Sequence, residues 1–307
     1  MISKKKKMKI FSKALCLGLI FSVGPCIISA QTFGQRLTEW IGGTPYQVTN
    51  PLPMTHTTLL MGGGQVGVLD TYLSEIPHTG HAFQLLFMSD YPAIHGGAWH
   101  IYTDANLHLG LPKNKGNGSF MYLLGAHYSI AGAYRACSWH GMTVDLAPML
   151  TLQAQGNLKS ANTNNIGNIK AGIGLDGWAR IRYVLPIDAM PIAIGYTLQV
   201  PLVGLAFQPD YGQSYYDYAS GGNNAPIRLH LSSFPNYRCL RQRLLLELPI
   251  RNLTISVGAE HGYQNQMISH LNFRQGYWSV LLGISFDSFA LSGNRSARSV
   301  NVIRSIE

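Results

Sequence analysis

Eight charged side chains recur at alternate positions in the second half of this chain. Lys170, Asp176, Arg180 and Arg182 share one parity, as do Arg241, Arg243 and Glu247, and Glu260 sits on a further alternating segment. Such groups lining a water-filled passage would set its ion selectivity. Packed into a narrow interior they would instead bind one another, because a buried charge without a partner is costly. A second candidate is the Asp70–His81 pair, since an aspartate that orients a histidine can activate water for hydrolysis. No serine-centred elbow or second acidic pair accompanies it, and the ordinary role of Asp70 is to cap a turn. A third is the run from Tyr211 to Asn224, where Tyr211, Tyr215, Tyr216 and Tyr218 stand beside Gly221, Gly222, Asn223 and Asn224. That mixture suits an adaptable surface recognising a glycan or another surface protein, or tyrosines anchored at a membrane interface.

Other chemistry is not indicated. His95, His100, His127, His140, His230, His261 and His270 show neither HExxH nor close Cys–His spacing, so no metal is expected. Gly62-Gly63-Gly64 lacks the Lys-Ser/Thr of a phosphate loop. No cofactor motif is present, and no complete catalytic set.

The elements that must carry these residues are strands. Between Ile169 and Tyr183 the apolar Ile169, Ala171, Ile173, Leu175, Ala179, Ile181 and Tyr183 alternate with Lys170, Asp176, Trp178, Arg180 and Arg182. Successive strand side chains point to opposite faces, so the ribbon has an oily side and a charged side. It is also much longer than the usual strand of about 5–6 residues. The same alternation predicts strands over Thr57–Leu69, Ala82–Tyr91, Trp99–Leu109, Phe120–Tyr134, Met142–Ala154, Ile192–Leu205, Leu240–Leu248, Leu253–His261 and Tyr277–Phe286. Pro148 and Pro201 fall inside two of them and each predicts a bulge or a strand end. The fold class expected is all-β: a transmembrane antiparallel up-and-down barrel of about ten strands, with twelve as the upper alternative. A secreted soluble barrel would show the same period with its faces reversed. Shorter links after even strands and longer ones after odd strands match the short periplasmic turns and long outer loops of membrane barrels. The longest link, from Phe207 to Tyr237, has room for a small hairpin. Tyr122, Tyr134, Trp278 and Phe286 near strand ends suit aromatic girdles.

Lys4, Lys5, Lys6, Lys7, Lys9 and Lys13 precede an apolar run from Ala14 to Ile28 and the small pair Ser29-Ala30. This is the order of a secretory signal peptide cleaved near Gln31. The expected organisation is a signal over 1–30, a periplasmic segment over 31–56, the barrel over 57–286 and a polar tail over 287–307. The chain of 307 residues is formally +9, but losing six lysines leaves 17 Lys plus Arg against 14 Asp plus Glu, or +3. A nucleic-acid partner is therefore not implied. Of four cysteines only Cys137 and Cys239 lie beyond the signal, too few for a disulfide framework.

Several segments carry a family resemblance: Leu69-Asp70-Thr71-Tyr72-Leu73-Ser74, Val200-Pro201-Leu202-Val203-Gly204, the run from Pro209 to Tyr216, and Leu240-Arg241-Gln242. In these the chain resembles an uncharacterised domain-of-unknown-function family of exported outer-membrane β-barrel proteins from Bacteroidota. The resemblance implies residence in the outer membrane, with lipid as a partner, and no catalytic or ligand-binding residue. The functions left open are a narrow pore or filled scaffold displaying loops, a hydrolase sited at the rim, and a binding module built on residues 211–224.

Overall fold

The alternating segments fold into long strands that hydrogen-bond in sequence and then close on themselves. The computed structural model describes residues 52–93, 98–159, 161–162, 165–187, 192–211, 213–214, 229–250, 253–288 and 302–304. The strands are β1 (Leu52–Asp70), β2 (Ser74–Pro92), β3 (Trp99–Lys113), β4 (Tyr122–Trp139), β5 (Met142–Leu158), β6 (Gly167–Val184), β7 (Ala193–Phe207), β8 (Leu229–Ser233), β9 (Tyr237–Ile250), β10 (Leu253–Ile268), β11 (Leu271–Ser288) and β12 (Val302–Arg304). Each neighbour in the series β1 to β7 pairs antiparallel with the next, β7 pairs with β9, and β9, β10 and β11 follow. Antiparallel pairing of β11 with β1, from Thr55↔Ser288 to Asp70↔Phe273, completes a closed ten-stranded barrel with no free sheet edge over that length. In the link after Phe207 the described residues hold one short strand, β8, which pairs with the end of β7 and not with a second strand of the link, and β12 runs parallel to the start of β1.

Closure staggers the ladder. Followed in one direction from Leu59, the rungs pass Phe87, Ala105, Tyr128, Leu152 and Ile173 to Leu205 on β7. In the other direction they pass Ile284, Ile255 and Leu248 and arrive beside the Ala193 end of β7. That offset is the shear of strands tilted roughly 35–45° to the barrel axis. The barrel strands run 14 to 19 residues, more than the roughly 9–11 that cross a bilayer. Within Gly62-Gly63-Gly64 on β1, Gly64 is required by close backbone packing, since a Cβ there would collide with the carbonyl oxygen of Trp278, whereas one on Gly63 would meet nothing within 4 Å.

The faces are inverted relative to a soluble barrel. Ile173 is 45% exposed and Leu150, Leu244, Leu282 and Ile284 stand outward with it, whereas Arg243 is 3% exposed and points into the lumen. Aromatics collect around the lower end, with Tyr91, Trp99, Trp139 and Tyr183 all on the outer surface. Trp99 and Tyr134 lie 5.0 Å apart there. Leu198 and Leu246 are half-buried on the outer parity.

Three expectations need correction. The first link is no long loop: β1 ends at Asp70 and β2 begins at Ser74, and the β10–β11 link is the pair 269–270. The β3–β4, β5–β6 and β6–β7 links are equal in length, so the expected alternation is lost and only the β7–β9 link stands out as long. Pro201 sits at a bulge that steps the β6–β7 register past Leu202, but Pro148 pairs with Gly177 without a shift. On its β4 side the ladder does break at Pro148, with no rung between Ala131↔Met149 and Tyr134↔Leu146, where the ring lacks a donor. Finally, the barrel begins before residue 57, since β1 starts at Leu52.

Candidate functional site

The site with chemical content is the barrel interior, where charges from strands on opposite walls meet in three layers. At the lower end Arg180 on β6 reaches across to Asp90 on β2 (2.7 Å) and to Asp145 on β5 (2.8 Å). Arg135 also approaches Asp145 (3.4 Å), and Arg182 binds Glu247 on β9 (2.9 Å). The layer holds three arginines and three carboxylates. The Arg180 guanidinium lies over the rings of Tyr102 and Trp178, themselves stacked 4.7 Å apart. A planar guanidinium serves both roles, since it hydrogen-bonds in its plane and stacks on aromatic faces.

The middle layer is tighter. Arg241 and Arg243 on β9 share two carboxylates, Asp104 on β3 across the lumen and Glu260 on the adjacent β10. The four N···O distances run from 2.6 to 3.2 Å. Tyr277 donates to Glu260 Oε1 (2.8 Å), and Asn106 donates to Gln84 (3.3 Å). Glu260 and Arg243 are almost wholly buried. Full pairing is what makes such burial tolerable.

The upper layer is centred on Asp70. Its carboxylate accepts from Lys170 Nζ (2.6 Å), from Asn157 (2.6 Å) and from Asn168 (2.9 Å). The Lys170 ammonium rests 3.9 Å from the ring centroid of Phe273. Above this layer Val66, Val68, Tyr72, Leu73, Met121, Leu123, Leu271 and Phe273 form an apolar lid inside the barrel mouth. The Tyr72 hydroxyl donates to the carbonyl of Gln213 (2.8 Å), tying the lid to the base of the β7–β8 link.

All eight charges singled out in the sequence face the interior, but they are not equivalent. Asp176 alone among them has no cationic partner: it accepts from Thr151 Oγ1 (2.7 Å) and Gln199 Nε2 (2.6 Å) and, among the described residues, from nothing charged. Sequence reasoning missed Asp70, Asp90, Asp104 and Asp145 as lumen groups. A signal for them existed. The eight comprise five cations and three carboxylates, an excess that a buried interior cannot hold without further acids on inward parity.

The pairing of Asp70 with His81 is corrected. Asp70 is 1% exposed inside the barrel, while His81 stands on the outer face opposite Gln65. Their parities differ on adjacent strands, so the two cannot share a water. A different trio does meet at the upper rim: Ser269 donates to Asp210 Oδ1, and His230 Nε2 lies 3.3 Å from Ser269 Oγ and 3.5 Å from Asp210. Both oxygens approach the same ring nitrogen, so the carboxylate does not orient the imidazole from its far side as a hydrolytic triad requires. The trio instead ties the foot of the β7–β8 link to the β10–β11 turn, where Ser269 and His270 hold positive φ angles of 51° and 62°. Tyr211 is 75% exposed at that foot. Tyr215, Tyr216 and Tyr218 lie outside the described residues. Cys137 and Cys239 are free thiols, and no group of three metal-ligating side chains occurs among the described residues.

A closed barrel with an apolar exterior and a salt-bridged interior has the architecture of the outer-membrane β-barrels. The chain belongs to the family described as Protein of unknown function (DUF3316), which it matches over residues 27–295. No curated protein matches it. Among solved structures it is similar to the translocator domain of the autotransporter NalP from Neisseria meningitidis, at 8% identity and a TM-score of 0.33, covering 83% of this chain and 95% of that one. The transport unit of AIDA-I from Escherichia coli aligns at 11% identity and 0.34, covering 85% and 98%. Ail from Yersinia pestis, solved with the heparin analogue sucrose octasulfate, aligns at 13% and 0.24, covering 76% and 99%.

Proposed function

We propose that this protein is an exported outer-membrane barrel of the filled kind, a scaffold that displays its upper links at the cell surface and passes no solute. The observation that carries the reading is the interior itself. Three charge-neutral layers, each joining opposite walls, stand beneath an apolar lid, and the greasy strand faces look outward. A pore lined by the same residues would leave its charges facing water. Here Arg180, Arg241, Arg243 and Lys170 each bind a carboxylate of another strand. Lipid is the partner of the outer face. The surface around Tyr211 is the contact offered to a glycan or a second surface protein.

Two measurements test this. Heat-modifiable migration with enrichment in outer-membrane fractions is expected; recovery in the soluble fraction would overturn the location. Vesicles reconstituted with the protein should swell no faster in sugar solutions than empty vesicles. Swelling that follows sugar size would overturn the filled reading in favour of a narrow pore.

A further inference from the structure

The greasy outer wall does not end at one height. A single rung carries the outward His81, Gln65, Trp278 and His261 across β2, β1, β11 and β10. Below it the outward residues are apolar: Phe83 and Leu85 on β2, Met61 on β1, Val280 and Leu282 on β11, Val257 and Ala259 on β10. Above it come Thr79, Gly67, Gly276 and Arg274. On β11 the apolar row from Phe286 to Trp278 is nine residues long, about what a strand needs to cross a bilayer. The rung therefore lies at head-group depth, with Trp278 where an interfacial ring belongs. On the neighbouring β3 the wall stays apolar higher up, since Leu111, the rung partner of His81, is 55% exposed. The polar surface dips into the apolar band across β10, β11, β1 and β2.

The dip holds a groove of about 430 Å³ on the outside of the barrel. Its floor is the outward pair Gly67↔Gly276, and a Cβ on Gly276 would meet nothing within 4 Å. Packing does not demand glycine there, and glycine inside a strand often marks a place where another molecule approaches closely. Gln65, Thr79, His81, Lys115, His261 and Trp278 stand around that floor, and no Asp or Glu lines the groove. Lys115 reaches it from the β3–β4 link. Among the described residues, the side chains of Lys115, Gln65 and His81 make no hydrogen bond or ion pair. His261 is held differently. The Tyr196 hydroxyl donates to Gln242 Oε1 (2.7 Å), which turns the Gln242 amide nitrogen toward His261 Nδ1 (3.3 Å). With Nδ1 accepting, the ring proton sits on Nε2, and His261 is a donor to whatever the groove receives.

We propose that this groove binds a lipid whose head group carries a phosphate monoester, with the phosphate over Gly67 and Gly276 and an acyl chain running down past Gly63. Gly63 pairs with Val280 on one side and Phe83 on the other, so the chain lies between two apolar side chains directly below the donors. Those donors come from three strands and a link, a convergence that suits an anion with several acceptor oxygens, and Lys115 supplies the opposite charge. A lipid beside the outer wall reaches the groove without entering the barrel. The inference rests on the outer face meeting lipid, and the probes below separate the two claims.

The test is native mass spectrometry of the folded protein in neutral detergent, with dioleoyl phosphatidic acid, dioleoylglycerol and glycerol phosphate as probes. Phosphatidic acid should stay bound to the wild type, and each of the other two should bind about tenfold more weakly or less. Lys115→Gln should weaken phosphatidic acid by about fivefold, the worth of one basic side chain at a membrane surface. Gly276→Leu, which fills the floor of the groove, should weaken it at least as much, in protein whose heat-modifiable migration shows it folded. Equal retention by wild type and either variant would overturn the proposal, as would dioleoylglycerol binding as well as phosphatidic acid. Glycerol phosphate binding as well as phosphatidic acid would also overturn it, since the groove would then take a free anion and not a lipid. Location is read separately by the membrane fractionation above.

Discussion

Asp176 and Arg180 lie four residues apart on β6 and face the same lumen, yet their surroundings are opposites. Arg180 is held by two carboxylates from two other strands and stacked over two aromatic rings. Asp176 is held by two neutral donors and borders a cavity of about 100 Å³. The lower barrel is a place where buried charge joins strands together. At Asp176 a buried charge is held without an ion pair. The same strand therefore carries a charge held by ion pairs at one level and a charge held by neutral donors at the next, and the difference is set by what the facing strands bring.

Substitutions can break that contrast in order of size. Glu260→Ala should be the most damaging, since it strips a carboxylate from both Arg241 and Arg243; a loss of about 3–5 kcal/mol is expected for a broken buried pair, read as the midpoint of urea unfolding in lipid vesicles. A midpoint unchanged from wild type would mean the middle layer is not structural. Asp90→Ala should cost less, about 1–3 kcal/mol, because Arg180 keeps Asp145. Asp176→Asn should have the opposite sign, gaining up to about 1 kcal/mol by removing a buried charge that forms no ion pair. Were it as destabilising as Asp90→Ala, the contrast on β6 would collapse. The smallest effect belongs to His56→Ala at the lower rim, where the 2.7 Å contact to Asp287 is partly solvated and an exposed pair is worth about 0.5 kcal/mol.

Much of the architecture was legible because period two is a local property. The outer faces of β6, β9, β10 and β11 could be read directly, since Ile173, Leu246, Val257 and Leu282 each belong to a row of apolar residues at every second position of their strands. The start of β2 could not: the outward Thr79 and His81 are polar while the exposed Ile76 lies on the parity of the buried His78, so the strand reads as loop although it is laddered to β1 from Asp70↔Ser74. The partners of the charges were also hidden. Asp70 meets Lys170 across a separation of 100 residues, and only closure and shear decide which levels face each other. Asp176 and Arg180 look alike in sequence for that reason. The segments that carry the family resemblance have structural work inside the barrel: Asp70 anchors the upper layer, Tyr72 and Leu73 form the lid, Leu202 is the bulge and Arg241 belongs to the middle layer.

The central claim is that the salt-bridged interior is shut, and single-channel recording in planar bilayers addresses it most directly. Purified protein, shown by heat-modifiable migration to be folded, should insert without producing discrete current steps at any applied voltage. Stable ohmic steps that scale with salt concentration would contradict the account.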